Sequence, residues 1–290
     1  MDTFDKQPNI NYFPGHMAKA LRRIKEMIAA ADVAVLVVDA RAPLSSFPAG
    51  LDKLTAGKSR AILLTKTDLA DPAQTELFLS DFRRQGYQAF AADLKIPSQA
   101  KDVRRALEGV RTKRDEKFLK LGFPLPPVKC LILGIPNVGK STLINVLGKR
   151  ERASVENTPG KTRKTTLFRA SERLWLYDTP GILEPRIHDE EAMTRLALLG
   201  SVKDDVLPHS LLVRRGLKII GDMYPDLFVA RYGFHPSEDS DHDLVQLAQK
   251  RGFLLPGNRY DVTRAERTFL QEIKEGTIGR ITIDEHQSGR

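Results

Sequence analysis

Gly134-Ile135-Pro136-Asn137-Val138-Gly139-Lys140-Ser141 fits the pattern G-x-x-x-x-G-K-[ST] at every fixed position, and the apolar run Val128–Leu133 leads straight into it. Residues Lys140–Leu147 then read as a helix. Strand, glycine-containing turn and helix in that order wrap backbone N–H groups and a positive helix N-terminus around a phosphate. Lys140 is placed to reach β- and γ-phosphates, and the Ser141 hydroxyl is a magnesium ligand by type. Asn137, Val138, Gly139 and Thr142 complete the expected nucleotide contacts of this loop.

Downstream, the apolar run Leu174–Tyr177 delivers Asp178-Thr179-Pro180-Gly181, with Asp178 lying 38 residues after Lys140. A carboxylate at the end of a strand suits a second magnesium contact through water, and Gly181 lets a backbone N–H approach a γ-phosphate. Between the two boxes lies Thr158-Pro159-Gly160-Lys161-Thr162, where a threonine can close over Mg²⁺ and the γ-phosphate. Thr162 is the choice, with Thr165 and Thr166 as competitors.

Upstream, Ala61-Ile62-Leu63-Leu64 runs into Thr65-Lys66-Thr67-Asp68. A carboxylate at Asp68 can accept from guanine N1–H and the 2-amino group together, a donor pair that adenine lacks. The aliphatic stem of Lys66 can lie over the base. Ala91-Ala92-Asp93-Leu94-Lys95 is a further loop within reach of it. The expected ligand is therefore GTP or GDP with Mg²⁺. The order of the boxes is unusual, because the guanine box precedes the phosphate loop instead of following both phosphate boxes. One fold accommodates this if the usual termini are joined, with the charged, Pro-containing stretch 111–127 as the join, and the chain is reopened after Gly181.

The flanking sequence alternates strands with helices. Helical spacing over Ala18–Ala31 precedes the apolar run Val33–Val38, and helices around Gln74–Gln85 and Lys101–Val110 bracket a short strand at Ala89–Ala92. Thr166–Ala170 and Leu174–Tyr177 read as a strand pair turned at Ser171-Glu172-Arg173. From about Asp189 the chain reads mostly helical, notably over Glu190–Ser201, Leu211–Met223 and Asp241–Lys250. The expected architecture is an α/β nucleotide-binding domain over 1–187, mostly parallel sheet with flanking helices, followed by a smaller all-α domain over 188–290.

Composition fits this division. The 290 residues are 41% hydrophobic, enough for a core, and the single cysteine Cys130 excludes a disulfide framework and a cysteine-built zinc site. The longest apolar runs are strand-sized and the N-terminus is acidic, so the sequence predicts neither a membrane span nor a signal peptide, and a cytoplasmic protein. The net charge of +9 is uneven: residues 1–187 sum to +12, residues 188–290 to −3, and residues 101–170 alone to +11. A polyanionic partner is one reading of that excess and a solvated basic surface the other.

Taken in order, these boxes resemble the circularly permuted GTPases of the ribosome biogenesis GTPase A family. The resemblance covers nearly the whole chain and includes Phe13-Pro14-Gly15-His16-Met17, Val38-Asp39-Ala40-Arg41 with Pro43, Asp178-Thr179-Pro180-Gly181-Ile182-Leu183 and Gly279-Arg280-Ile281-Thr282. It implies a GTP-hydrolysing assembly factor that binds the maturing large ribosomal subunit and its rRNA, and the expected oligomeric state is a monomer. Ile182 stands where classical members of the wider superfamily carry a water-orienting glutamine, which implies slow hydrolysis unaided and stimulation by the subunit. His16 matches the family's candidate replacement, with structural packing as its other role. Asn137 matches a position associated with bound K⁺, with loop stabilisation as its other role. Thr65 departs from the family's asparagine, which implies slightly weaker guanine affinity. The acidic balance of 188–290 leaves Arg214, Arg215 and Lys218 to carry any RNA contact there. Other readings are a GTPase acting on another RNA, such as a tRNA-modifying partner, and an RNA-binding scaffold stabilised by nucleotide.

Overall fold

The computed structural model describes residues 24–110, 112–148, 152–153, 167–179, 189–202 and 207–286. Helical residues 24–30 (α1) lead into β1 (Val33–Asp39), which is buried at all seven positions. Burial on both faces is what a continuous apolar run in a parallel sheet requires. The chain continues through α2 (Ala49–Leu54), β2 (Ser59–Thr65), α3 (Pro72–Arg84), β3 (Gln88–Ala92), α4 (Pro97–Glu108) and α5 (Lys113–Lys120). Then come β4 (Val128–Leu133), α6 (Lys140–Leu147), β5 (Arg152–Ala153), β6 (Leu167–Arg169) and β7 (Leu174–Tyr177).

These strands form one sheet in the order β3-β2-β1-β4-β7-β6-β5. β3, β2, β1, β4 and β7 are parallel, and β5 and β6 close the edge antiparallel. β1 pairs with β2 from Val33 opposite Ser59 to Asp39 opposite Thr65, and with β4 from Val33 opposite Cys130 to Leu36 opposite Leu133. The three boxes follow β2, β4 and β7 and thus leave the same end of the parallel sheet, the end where open α/β sheets bind ligands.

Strand alternation sorts the core. Ala34, Leu36 and Val38 face α1 and α3, against Ile24, Met27, Phe78 and Phe82. Val33, Val35 and Val37 face the other way, in one buried cluster with Val103 and Leu107 of α4 and Leu143 and Leu147 of α6. That cluster continues without a break into the C-terminal helices. These are α7 (Glu190–Leu198), α8 (His209–Met223), α9 (Pro225–Tyr232), α10 (Ser240–Lys250) and α11 (Val262–Glu275), with the small hairpin β8 (Leu254–Leu255) and β9 (Arg259–Tyr260) before α11.

One departure from the sequence reading is α5, which falls inside the stretch expected to be only a connection. A capping box starts it, with the Asp115 N–H donating to Thr112 Oγ1 and the Thr112 N–H to Asp115 Oδ2. Arg114 pairs with Asp32 at 2.9 Å and Arg173 with the buried Asp115 at 3.3 Å. Those partners sit immediately before β1 and β7, so the helix is held by contacts that its own polar sequence does not advertise.

Residues 281–284 return to the loops that follow β1 and β2. The Ile281 N–H donates to Leu69 O and the Ile283 N–H to Arg41 O. Asp284 accepts from the N–H groups of Leu44 and Ser45 at 2.7 and 2.8 Å and from Ser45 Oγ at 2.5 Å.

Candidate nucleotide site

The phosphate loop follows β4, the strand at the centre of the sheet. A Cβ on Gly134 would stand 2.6 Å from the Val37 carbonyl oxygen, so only glycine lets this backbone pass β1 so closely. Asn137 and Gly139 hold left-handed conformations, with φ of 60° and 101°. Gly139 is the N-cap of α6 and brings no side chain to its first N–H groups, which leaves them for an anion.

Lys140 is buried in the first turn, and its Nζ donates to the Ile135 carbonyl at 2.6 Å. Burial lowers its pKa to about 8, with Asp178 acting in the opposite direction. Phosphates beside the ammonium would raise that value, so nucleotide binding takes up a proton and affinity falls as pH rises through 8. Between pH 7 and 8.5 the expected loss of GDP affinity is about fourfold. Calorimetric titrations in two buffers of different ionisation heat check the proton uptake. An affinity flat over that range would place the Lys140 pKa elsewhere.

The guanine box packs directly on this loop. Thr65 Oγ1, fully buried, lies 2.5 Å from Val138 O and 3.1 Å from Val38 O, each a carbonyl it can donate to. A Cβ on Gly139 would stand 3.3 Å from the same hydroxyl. Lys66 has φ of 57° and its Nζ lies 2.8 Å from Asp39 Oδ2. Asp68 Oδ2 accepts from Lys95 Nζ at 2.8 Å, which brings the loop after β3 to the box. The structure therefore gathers Thr65, Lys66, Asp68, Asn137, Val138, Gly139, Lys140, Ser141, Thr142 and Asp178 at one end of the sheet. His16, Thr162, Gly181 and Ile182 lie outside the described residues.

Among the described residues no group of three or more His, Cys, Asp or Glu side chains forms a metal site. Ser141, exposed on the first turn of α6, and Asp178, which acts electrostatically on Lys140, offer a hydroxyl and a carboxylate. Such hard oxygen donors fit a magnesium ion that keeps water and phosphate as its other ligands.

Asp39 and Arg41 are the residues whose role the sequence left unread. Asp39 is buried at the end of β1, where its carboxylate accepts from Arg41 Nε at 3.0 Å, Arg41 Nη2 at 2.8 Å and the Arg41 N–H at 3.1 Å. Burial alone would raise its pKa, but Arg41 and Lys66 prevail and hold the carboxyl below its ordinary value. Arg41 also donates to the carbonyls of Lys274 at 3.1 Å and Leu199 at 3.5 Å. One residue on, the Gly200 carbonyl accepts from Asn137 Nδ2 of the phosphate loop at 2.9 Å. Arg280 donates to Thr67 O inside the guanine box at 2.8 Å and to Ala70 O at 2.9 Å. The turn after α7 is thus tied to the phosphate loop, and the segment after α11 to the guanine box.

A phosphate loop behind the central strand β4, a guanine box behind β2 of the same parallel sheet and their inverted chain order define a circularly permuted P-loop GTPase. The comparisons agree. Residues 129–221 match the family model described as 50S ribosome-binding GTPase. The chain is 34% identical to ribosome biogenesis GTPase A of Priestia megaterium, over 95% of this chain and 96% of that one. It is 33% identical to ribosome biogenesis GTPase A of Bacillus cereus, over 95% and 93%. A GNP-bound YlqF structure from T. maritima superposes with a TM-score of 0.63 at 29% identity, over 92% and 97% of the two chains. A GDP-bound YlqF structure gives 0.64 at 28%, over 91% and 98%. The chain belongs to the ribosome biogenesis GTPase A family.

The C-terminal helices change one expectation. Arg214, Arg215 and Lys218 are not a free cationic cluster, because Arg214 pairs with Asp241 at 2.9 Å, Arg215 with Glu190 at 2.6 Å and Lys218 with Asp222 at 3.1 Å. Exposed pairs of this kind add little stability, but they cancel the local field that would draw a polyanion.

Proposed function

We propose that this GTPase binds the maturing large ribosomal subunit and couples GTP hydrolysis to a late assembly or release step. In this reading Lys140 holds the β- and γ-phosphates, with the loop from Asn137 to Thr142 around them. Ser141, Thr162 and, through water, Asp178 hold Mg²⁺, Gly181 meets the γ-phosphate, and Asp68 selects guanine beside Thr65 and Lys66. Hydrolysis is slow alone, and His16 orients water once the subunit orders the N-terminal segment. Asn137 Oδ1 is assigned as a K⁺ ligand beside the phosphates. The protein works in the cytoplasm, and among the described residues no helix is long and apolar enough to cross a membrane.

The observation that carries the coupling is the turn after α7. Its Leu199 and Gly200 carbonyls are held by Arg41 and by Asn137 of the phosphate loop, so a change at the phosphates has a direct route into the C-terminal helices. Co-sedimentation with purified large subunits tests this reading. Association is expected to be at least tenfold tighter with a non-hydrolysable GTP analogue than with GDP. Equal affinity in the two states would remove the coupling.

A further inference from the structure

The three most exposed large apolar side chains among the described residues are Leu121 at 68%, Phe123 at 58% and Leu119 at 55%. All three lie within five residues, at the end of α5 and just beyond it. They are held in place. Gly122, at φ of 71°, closes the helix with its N–H on Leu119 O, and the Phe123 N–H donates to Phe118 O. These two bonds form a Schellman motif. The Phe123 ring meets Phe118 edge-on at 6.3 Å. At the other end, the Asp115 and Arg114 ion pairs clamp the helix to the sheet.

Lys117 and Lys120 are exposed beside this patch, and no ion pair to either is found among the described residues. Glu116 is the exposed acid on the helix, since Asp115 is buried. This differs from the C-terminal helices, where Arg214, Arg215, Lys218, Arg231 and Arg251 each face a carboxylate. Residues 113–120 carry a net charge of +2 within the basic stretch 101–170.

We infer that the end of α5 is a docking surface for single-stranded RNA, with an unpaired base stacked on Phe123 and backbone phosphates at Lys117 and Lys120. An aromatic platform next to free lysines is the combination that captures splayed bases. A protein partner fits less well, because lysine is depleted from protein interfaces. The inference rests on the proposed rRNA-containing partner and adds the contact surface on the nucleotide domain.

The test is fluorescence anisotropy of a labelled oligouridylate with the full chain, for wild type, Phe123→Ala and the double variant Lys117→Gln/Lys120→Gln. Phe123→Ala is expected to weaken binding about tenfold. The lysine pair, which touches no packing, is expected to flatten the log–log salt slope by about 1.4. Melting temperature and GDP affinity should stay at wild-type values in both. RNA affinity and salt slope unchanged in both variants would overturn the surface. So would loss, in Phe123→Ala, of a concentration-dependent self-association with RNA binding intact, because a second copy would then cover the patch. If RNA binding responds as expected but wild type fails to associate with large subunits, the ribosomal reading falls and the RNA surface stands.

Discussion

Lys140→Ala is expected to weaken GDP binding by about two orders of magnitude while leaving the fold intact. In the proposed site the ammonium would replace water as partner to two phosphates, and hydrogen bonds to charged groups are worth about 1.5–3 kcal/mol each. A loss of about 3 kcal/mol is close to 150-fold in affinity. The fold should not suffer, because the hydrogen bond found for Nζ is to the carbonyl of Ile135 in its own loop. Removing a buried cation with a depressed pKa also relieves desolvation. Titration with a fluorescent GDP analogue gives the affinity and circular dichroism gives the fold. An affinity within about threefold of wild type would take Lys140 out of the phosphate site.

The second large effect is on stability. Asp39→Ala leaves the guanidinium of Arg41, 1% exposed, without its carboxylate and frees Lys66 from the same anchor. Breaking a buried ion pair from one side costs about 3–5 kcal/mol. For a domain of this size that corresponds to a fall of about 10 °C in melting temperature. Replacing both partners, as in Asp39→Ala/Arg41→Met, should recover most of the loss, because the buried charge goes with its counter-charge. The pH dependence has a definite sign. Asp39 titrates below its ordinary 3.8, so its contribution is present above that pH and is lost as pH falls through the lower folded value. A melting temperature within about 2 °C of wild type in Asp39→Ala would mean that the pair is not buried in solution.

The sequence was most legible where signals are local. β4, the phosphate loop and α6 could be read because the apolar run, the glycines and the helix start adjoin one another over 20 residues. β1, β2 and β3 announced themselves as buried apolar runs, and Asp71-Pro72 marked the start of α3, where Asp71 caps Ala73 and Gln74. α5 was not legible, since Lys113-Arg114-Asp115-Glu116-Lys117-Phe118-Leu119-Lys120 has few apolar residues and is held by partners just before β7 and β1. The bridge through Arg41 was hidden for a different reason. Its partners Leu199 and Lys274 lie 158 and 233 residues away and are backbone carbonyls, which carry no sequence signal. The same holds for Asn137 and Gly200. What joins the nucleotide boxes to the C-terminal helices is thus made of contacts that only the folded chain reveals.

The most direct measurement is GTP turnover by the full chain in K⁺ and Mg²⁺, alone, with purified large ribosomal subunits and with purified small subunits. Slow turnover alone and stimulation of about tenfold or more by large subunits is the expected result. Small subunits should give none. Turnover that is the same in all three conditions would contradict a GTPase switch acting on the large subunit.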